Sequence, residues 1–151
     1  MIIKALSDYI ENINILDLDE IAIIEKKAYR NPWTKRHFKS DINQKYSLNY
    51  KYVKNNKLIG YLFGYLIEDE YHLNKITVKE KFRARKIGKI LLSYCLKKIA
   101  DKNVKYIHLE VSSSNVIAQN FYRSFNFVNV GVRKKYYSKY EDALLYNLEI
   151  K

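Results

Sequence analysis

The hydrophobic and polar positions near the start of the chain follow the period of an α-helix. Over residues 14–29, apolar side chains recur at the i, i+3 and i+4 spacing, which predicts an amphipathic helix. Asp17 and Glu20 resemble a capping box that would begin this helix. After a break at the only proline, Thr34 can cap a second, short helix that turns Phe38 inward.

Three extended segments follow, and their residue types favour strands. Residues 46–54 and 57–67 are rich in Tyr, Val, Leu and Ile, and each predicts a strand. Between them lies Asn55-Asn56, a pair that tolerates the left-handed conformation of a tight hairpin turn. An acidic turn then leads to residues 71–78, which predict a third strand.

The second half of the chain alternates between helical and extended patterns. A long amphipathic helix comes first, with lysines on its outer face. The side chains of the next segment alternate, which places Glu110 on the opposite face of a strand from Leu109. The predicted elements are a helix over residues 85–100, a strand over 105–111, a helix over 116–125, and strands over 127–137 and 142–150.

This order of elements indicates a mixed α/β sheet. The 151 residues contain no internal repeat, low-complexity tract or Gly/Ser linker, so we expect a single domain over residues 1–151. A chain of this length buries about two thirds of its unfolded surface, enough for a hydrophobic core. Near the amino terminus, Met1-Ile2-Ile3 and Tyr9-Ile10 compete as the first strand.

The charge of the chain is strongly positive. With 28 Lys and Arg against 16 Asp and Glu, the net charge of +12 would attract nucleic acid, anionic membranes or phosphorylated ligands. The basic residues are spread along the whole chain, however, and the many Lys, Asn, Ile and Tyr with few Gly are typical of an AT-rich genome. Direct nucleic-acid binding is therefore the less favoured interpretation, although the charge leaves it open.

The cysteine and histidine content predicts no metal site and no disulfide. Cys95 has no partner for an internal disulfide, and three scattered histidines with one thiolate do not make a metal site. Charged residues interrupt the first dozen positions, so we expect no signal peptide and no membrane segment there. These features predict a cytoplasmic protein.

A basic stretch between the third strand and the long helix resembles an anion site. Successive backbone N–H groups at a helix start, the positive end of the helix dipole and nearby Arg and Lys suit a pyrophosphate. A solvated basic turn is the alternative. The residues of this predicted site are Ile76, Thr77, Val78, Arg83, Ala84, Arg85, Lys86, Ile87, Gly88 and Lys89.

The order and spacing of these motifs resemble the GNAT acetyltransferase superfamily over nearly the whole chain. Beyond the basic loop, the matching residues are Leu109-Glu110-Val111, Asn115, Tyr122 and Phe127. Two further segments resemble the RimI group of that superfamily, bacterial enzymes that acetylate the amino-terminal alanine of a small-subunit ribosomal protein. Those segments are Asn31-Pro32-Trp33-Thr34 and Arg133-Lys134-Lys135-Tyr136-Tyr137.

The resemblance implies a fold, a co-substrate and an acceptor. The GNAT fold has about seven strands flanked by about four helices in one α/β domain. Acetyl-coenzyme A would be the co-substrate, bound by the basic loop together with Asn115 and Tyr122. The acceptor would be a protein amino terminus, such as that of a small-subunit ribosomal protein.

Two positions depart from the superfamily pattern. The phosphate loop Gln/Arg-x-x-Gly-x-Gly/Ala falls on residues 83–88, but Lys86 stands in place of the first glycine. A backbone N–H is still present, so phosphate binding can persist, yet a side chain now stands where close approach favours glycine. Asn126 replaces the glycine before Phe127, and asparagine is the next-best residue for a left-handed helix stop.

The resemblance also implies a general base, Glu110, and a general acid, Tyr122. An α-amino group has a pKa near ~8, so a base must take its proton before the amine attacks the thioester. A phenol can then donate to the leaving thiolate. Each residue has an ordinary alternative: Glu110 as an edge-strand carboxylate in water, Tyr122 as a core residue and Asn115 as a helix cap.

By the same resemblance, Trp33, Tyr136 and Tyr137 shape the groove for the first residues of the acceptor, although aromatics in such places usually pack. Three interpretations stay open: acetylation of a protein amino terminus, acetylation of lysine, a polyamine or another small amine, and a catalytically silent module that binds ribosomes or RNA. A +12 enzyme would repel a basic ribosomal protein unless acidic groups line its groove.

Overall fold

The computed structural model of the protein describes residues 7–151. The elements in this range include two short 3-10 turns as well as strands and α-helices. The strands are β1 (Tyr9–Asn12), β2 (Tyr50–Lys54), β3 (Lys57–Ile67), β4 (Glu70–Val78), β5 (Tyr106–Ser112), β6 (Val128–Ser138) and β7 (Glu141–Glu149). The helices are α1 (Leu18–Ala28), α2 (Lys35–Ile42), α3 (Ile87–Ala100) and α4 (Val116–Arg123).

The seven strands form one mixed sheet in the order β1-β2-β3-β4-β5-β7-β6. All neighbours are antiparallel except β4 and β5, which are parallel and pair only as far as Leu73 with Leu109. Both strands continue beyond this point, and no register joins them there within the described chain. We call the opening between residues 74–78 and residues 110–112 the β4–β5 gap.

The helices cover the two faces of the sheet. Adjacent residues of β3 belong to different hydrophobic clusters: Leu62 packs with α3 residues such as Leu91, whereas Tyr61 packs with α1 and α2. Phe38 of α2 is fully buried against Phe63 of β3, with ring centroids 4.9 Å apart. The predicted inward face of the second helix is therefore confirmed, as is the predicted mixed α/β architecture.

The hairpin between β2 and β3 turns at the two asparagines. Asn55 and Asn56 have φ values of 50° and 61°, both in the left-handed region. Two successive left-handed residues match the twist of the flanking strands, and asparagine reaches this conformation more readily than most residues. The predicted tight turn is confirmed.

The element boundaries differ from the sequence-based ones by a few residues. Among the described residues Tyr9-Ile10 forms the first strand, and Met1-Ile2-Ile3 lies outside the described range. The segment predicted as strand from residue 46 pairs regularly only from Tyr50, where it meets both β1 and β3.

The predicted capping box of the first helix is wrong. A 3-10 turn precedes α1, and Asn14 is its cap: the Leu16 N–H donates to Asn14 Oδ1 at 2.9 Å. The Asn14 N–H in turn donates to Asp17 Oδ2 at 2.8 Å. Because this turn begins before the helix, the Asp17 carboxylate is already engaged and does not cap α1.

Candidate active site

The loop between β4 and α3 presents uncapped backbone N–H groups. α3 begins at Ile87, and no side chain within residues 7–151 caps it. The first hydrogen bond of the helix is donated by the Ile90 N–H to the Lys86 carbonyl oxygen at 3.0 Å. The N–H groups of residues 87–89 come before it and have no acceptor within the helix. These groups, the positive end of the helix dipole and the basic residues of the loop together suit a phosphate.

Lys86, at the first glycine position of the phosphate-loop pattern, has a left-handed backbone with a φ of 64°. Ala84 in the same loop is also left-handed, with a φ of 60°. This conformation costs a residue with a Cβ about 1–2 kcal/mol. Gly88, the second glycine of the pattern, has ordinary backbone angles, and a Cβ there would lie 3.5 Å from Phe121. The Lys86 side chain is exposed, so its departure from glycine acts through backbone strain.

The predicted coenzyme residues of β4 lie along the β4–β5 gap. Ile76, Thr77 and Val78 belong to the part of the strand that β5 leaves unpaired, while β3 pairs with their other side. The Arg83 Nε donates to the Val78 carbonyl oxygen at 3.0 Å, which ties the basic loop to this strand. The basic loop is therefore bonded to the end of the unpaired part of β4.

Asn115 lies on the other side of the gap, where β5 leads into α4. Its Oδ1 accepts the Ala118 N–H at 3.1 Å, so the predicted role as a helix cap is confirmed. The side-chain amide has two further donors that this bond does not use. A role toward the coenzyme stays a prediction.

Glu110 follows the last residue of β5 that pairs with β4, and it faces away from the buried Leu109 and Val111, as alternation predicted. β5 lies between β4 and β7, but it pairs with β4 only as far as Leu109, so Glu110 has β7 on one side and the gap on the other. The side chain is 29% exposed, and its Oε1 lies 3.2 Å from Nη1 of Arg133 on β6.

Tyr122 of α4 is buried and packs edge-on against Phe127, with ring centroids 5.7 Å apart. Packing is thus part of its role. Burial, reinforced by Tyr29 and Tyr137 nearby, raises the pKa of the Tyr122 phenol. The phenol stays protonated at neutral pH and can therefore donate its proton or a hydrogen bond.

Two of the three predicted acceptor residues lie beside Glu110. Tyr136 and Tyr137 near the end of β6 are 49% and 41% exposed, so neither is a core residue. Burial and then Glu110 raise the pKa of Tyr136, and the same causes raise the pKa of Tyr137 to about 12. Trp33, between α1 and α2, is half-buried and packs on Phe38 with centroids 5.3 Å apart.

Sequence reasoning missed Tyr29, which lies between these groups. Its hydroxyl is 2.8 Å from Thr77 Oγ1 and donates to the Ile76 carbonyl oxygen at 3.4 Å. Burial raises its pKa. The only hint in the sequence was that Tyr29 lies between α1 and Trp33. No residue near it in the chain indicates that it contacts β4.

Outside this site, the chemistry of the described chain is limited. Across residues 7–151, no three His, Cys, Asp or Glu side chains are grouped so as to hold a metal ion. Burial raises the pKa of the Cys95 thiol to about 12. None of the helices between residues 7 and 151 has the length and apolar character needed to cross a bilayer.

Comparison with known proteins identifies the family. The model of the acetyltransferase (GNAT) family matches residues 18–127. The ribosomal protein bS18-alanine N-acetyltransferase of Haemophilus influenzae is 32% identical over 130 residues, which cover 86% of this chain and 88% of the relative. The enzyme of that name from Escherichia coli K12 is 28% identical over 144 residues, covering 93% and 97%.

Solved structures show the same fold. The crystal structure of the ribosomal-protein-S18-alanine N-acetyltransferase from Escherichia coli has a TM-score of 0.90 and 27% identity, covering 96% of this chain and 95% of that one. Arabidopsis thaliana NAA60, crystallised with acetyl-CoA, has a TM-score of 0.86 at 18% identity, covering 95% and 99%. The chain therefore belongs to the acetyltransferase (GNAT) family and is an N-acetyltransferase.

Proposed function

We propose that the enzyme transfers the acetyl group of acetyl-coenzyme A to the α-amino group of a protein amino terminus, and that its acceptor is the amino-terminal alanine of a ribosomal protein, as in its similar relatives. The observation that carries the proposal is the arrangement around the β4–β5 gap. Residues 76–78 of β4 lead through the basic loop to the uncapped start of α3, and Glu110 follows the last residue of β5 that pairs with β4, with Tyr136 and Tyr137 close to it.

The coenzyme fits the chemistry of this gap. Its pyrophosphate would bind the N–H groups and basic side chains of residues 83–89. Its pantetheine arm carries amides, which suit the unpaired edge of β4 at residues 76–78 and the free amide donors of Asn115. The retained N–H of Lys86 and its exposed side chain support coenzyme binding despite the missing glycine.

Glu110 would act as the general base. The acceptor amine arrives mostly protonated, because its pKa is near ~8, and Glu110 takes the proton through a water molecule. In the free enzyme Glu110 pairs with Arg133, whose side chain is 57% exposed. An exposed pair of this kind contributes about 0–1 kcal/mol, so the acceptor ammonium can displace Arg133 readily.

The neutral amine then attacks the thioester carbonyl. A C–N bond forms, the oxyanion is stabilised by backbone N–H groups of residues 76–78, and the C–S bond breaks as the intermediate collapses. The attacking nitrogen loses its remaining extra proton to solvent, Tyr122 donates its phenolic proton to the leaving thiolate, and the phenolate takes a proton back from solvent. The raised pKa keeps the Tyr122 phenol protonated until the thiolate forms, and it also makes the phenol a weaker acid, which favours a hydrogen bond to the thiolate as the first contact.

Acidic groups near the gap reduce the repulsion between a +12 enzyme and a basic acceptor. Glu141, at the start of β7, accepts the Ser114 hydroxyl at 2.8 Å, and the bonds from Ser112 and Ser114 lower its pKa. It therefore stays ionised close to the end of β5. With Glu110, it offers negative charge on the side of the gap where the acceptor would enter.

The test measures transfer from labelled acetyl-coenzyme A to three acceptors: a peptide with a free amino-terminal alanine, the same peptide blocked at its terminus but containing lysine, and spermidine. We expect transfer to the free terminus alone, with a loss of about 10²-fold or more in kcat for Glu110→Gln. Transfer to lysine or spermidine alone would refute the acceptor while keeping the family. An unchanged rate in Glu110→Gln would refute the base.

A further inference from the structure

α1 carries a buried carboxylate toward the sheet beside the proposed acceptor site. Glu25 is completely buried, although it occupies a position of the helix where the sequence places apolar residues. Its Oε2 accepts a hydrogen bond from the Tyr61 hydroxyl at 2.5 Å, and its Oε1 accepts one from the backbone N–H of Trp33 at 3.1 Å. The carboxylate is thus bonded to β3 and to the segment that leads into α2.

The charge opposite Glu25 comes from Lys75 of β4. The Lys75 ammonium forms an ion pair with Glu25 Oε1, and its side chain is only 11% exposed. A bulge between β3 and β4 near Phe63 shifts the register, so Lys75 turns toward α1 although Leu73, two residues earlier, faces α3. This local irregularity brings the cation under the segment between α1 and α2.

Two aromatic rings enclose the same ammonium. The Lys75 Nζ lies 4.3 Å from the centre of the Tyr29 ring and 4.7 Å from the centre of the Trp33 ring. At these distances both rings attract a cation. Glu25, Tyr29 and Trp33 therefore form an ammonium-binding cage, which the chain fills with its own Lys75. We call these three residues together with Lys75 the Lys75 cage.

The Lys75 cage connects the two sides of the proposed active site. Tyr29 reaches from the cage to Thr77 Oγ1 at 2.8 Å, on the strand that would hold the acetyl group. Trp33 is the residue proposed to line the acceptor groove. Lys75 itself lies in the unpaired part of β4, next to Ile76. A cation that holds both rings therefore fixes the distance between the acceptor wall and the acetyl-bearing strand.

We propose that Lys75 is a positioning residue for the acceptor: its ammonium, held between Tyr29, Trp33 and Glu25, sets the wall against which the acceptor amine is aligned. This inference rests on the proposed function, since it assumes that the amine enters beside Trp33. Lys75 touches neither reacting group and acts through the two rings. Displacement of such a wall removes contacts that the bound acceptor makes, which raises the KM of the acceptor.

Lys51 provides a matched control. It is also a buried lysine, 9% exposed, with its Nζ 2.7 Å from Asp17 and 3.1 Å from Glu11. It lies on β2, which is separated from β4 by β3. Loss of either ammonium leaves buried or half-buried carboxylates unpaired, so both variants are expected to lose stability, but only the Lys75 variant should change acceptor use.

The experiment compares Lys75→Met and Lys51→Met with the wild type. For Lys75→Met we expect the acceptor-peptide KM to rise about tenfold or more, while the acetyl-coenzyme A dissociation constant stays within about twofold. Trp33 is the only tryptophan of the chain, so its fluorescence reports on the cage directly. Its emission should shift to the red and become easier to quench with acrylamide in Lys75→Met, and neither should change in Lys51→Met.

A second variant separates the charge from the fold. Lys75→Ala removes the ammonium and three methylene groups, and propylammonium replaces that missing part. Added propylammonium should bring the peptide KM and the Trp33 emission of Lys75→Ala most of the way back to the wild-type values. The acetylated peptide is measured by mass spectrometry, because propylamine is itself an amine that the enzyme can acetylate. It should leave both properties unchanged in Lys51→Ala. Circular dichroism verifies that each variant is folded.

The outcomes distinguish the inference from the proposed function. If the wild type fails to acetylate a free terminus, the proposed function is wrong. If the wild type does so while folded Lys75→Met keeps its peptide KM and Trp33 emission, Lys75 has no positioning role. Equal effects in the Lys75 and Lys51 variants, with no rescue, would likewise overturn the inference, because a general loss of stability would then explain them.

Discussion

Replacing Lys86 by glycine should stabilise the protein, because Lys86 is the N-cap residue of α3 but its side chain makes no capping hydrogen bond that glycine would lose. Lys86 has a φ of 64°, a conformation that costs a residue with a Cβ about 1–2 kcal/mol. Glycine removes this strain, but it also makes the unfolded chain more flexible. That flexibility cancels about 0.4–1 kcal/mol of the gain in stability. The net gain in free energy of unfolding is about 1 kcal/mol, or about 2–4 °C in Tm for a domain of this size.

Two controls separate backbone strain from charge. Ala84→Gly relieves the same strain at a φ of 60° without a change in charge, so it should also stabilise. Lys86→Ala removes the charge but keeps the strain, so it should not. The assay is urea unfolding followed by circular dichroism, with coenzyme A binding measured by calorimetry at moderate salt.

The coenzyme measurement tests what Lys86 contributes to the loop. Lys86→Gly and Lys86→Ala each lose one positive charge, and if the phosphate is bound by the backbone N–H, Lys86→Gly should bind coenzyme A at least as tightly as Lys86→Ala. The strain argument is refuted if Lys86→Gly is no more stable than Lys86→Ala. A stabilised Lys86→Gly that has lost coenzyme binding would contradict the role of the backbone instead.

Three further changes have defined expected results. In Gly64→Ala the new Cβ would lie 2.7 Å from a backbone oxygen and 2.1 Å from the Tyr71 hydroxyl, so unfolding should become easier by about 1–3 kcal/mol in urea titrations, and an unchanged midpoint would contradict this. Asn115→Ala should lose about 1 kcal/mol of stability and Asn115→Ser much less, because serine also caps. Tyr122→Phe should keep the fold but lower kcat about 10²-fold, and full activity would exclude Tyr122 as the acid.

Local patterns in the sequence determined most of the secondary structure. The alternation along residues 105–111 placed Leu109 in the core and Glu110 on the opposite face, because strand geometry turns successive side chains to opposite sides. The two asparagines fixed the hairpin turn for a similar reason, since their φ preference is a property of the residue itself. The family was also evident from ordered motifs, which do not depend on long-range packing.

Residue spacing alone did not determine the internal contacts of the site. Glu25 fits the apolar face of α1, and nothing near it in the chain shows that Lys75 neutralises it. Regular alternation would give Lys75 the same side of β4 as Leu73, and only the bulge opposite Phe63 turns it toward α1. The contact of Tyr29 could not be predicted from residue spacing either, because its partner Thr77 belongs to another element.

The tertiary structure also decided where the sheet opens. Sequence patterns predicted a third and a fourth strand, but pairing between β4 and β5 ends at Leu73 and Leu109 although both strands continue. Hydrophobic periodicity and secondary-structure propensity describe one segment at a time. The residue at which two strands stop pairing depends instead on how two distant segments twist and pack together. The sequence by itself thus determined the elements and the chemistry they carry, and only the packing of the sheet decided that this chemistry meets at one gap.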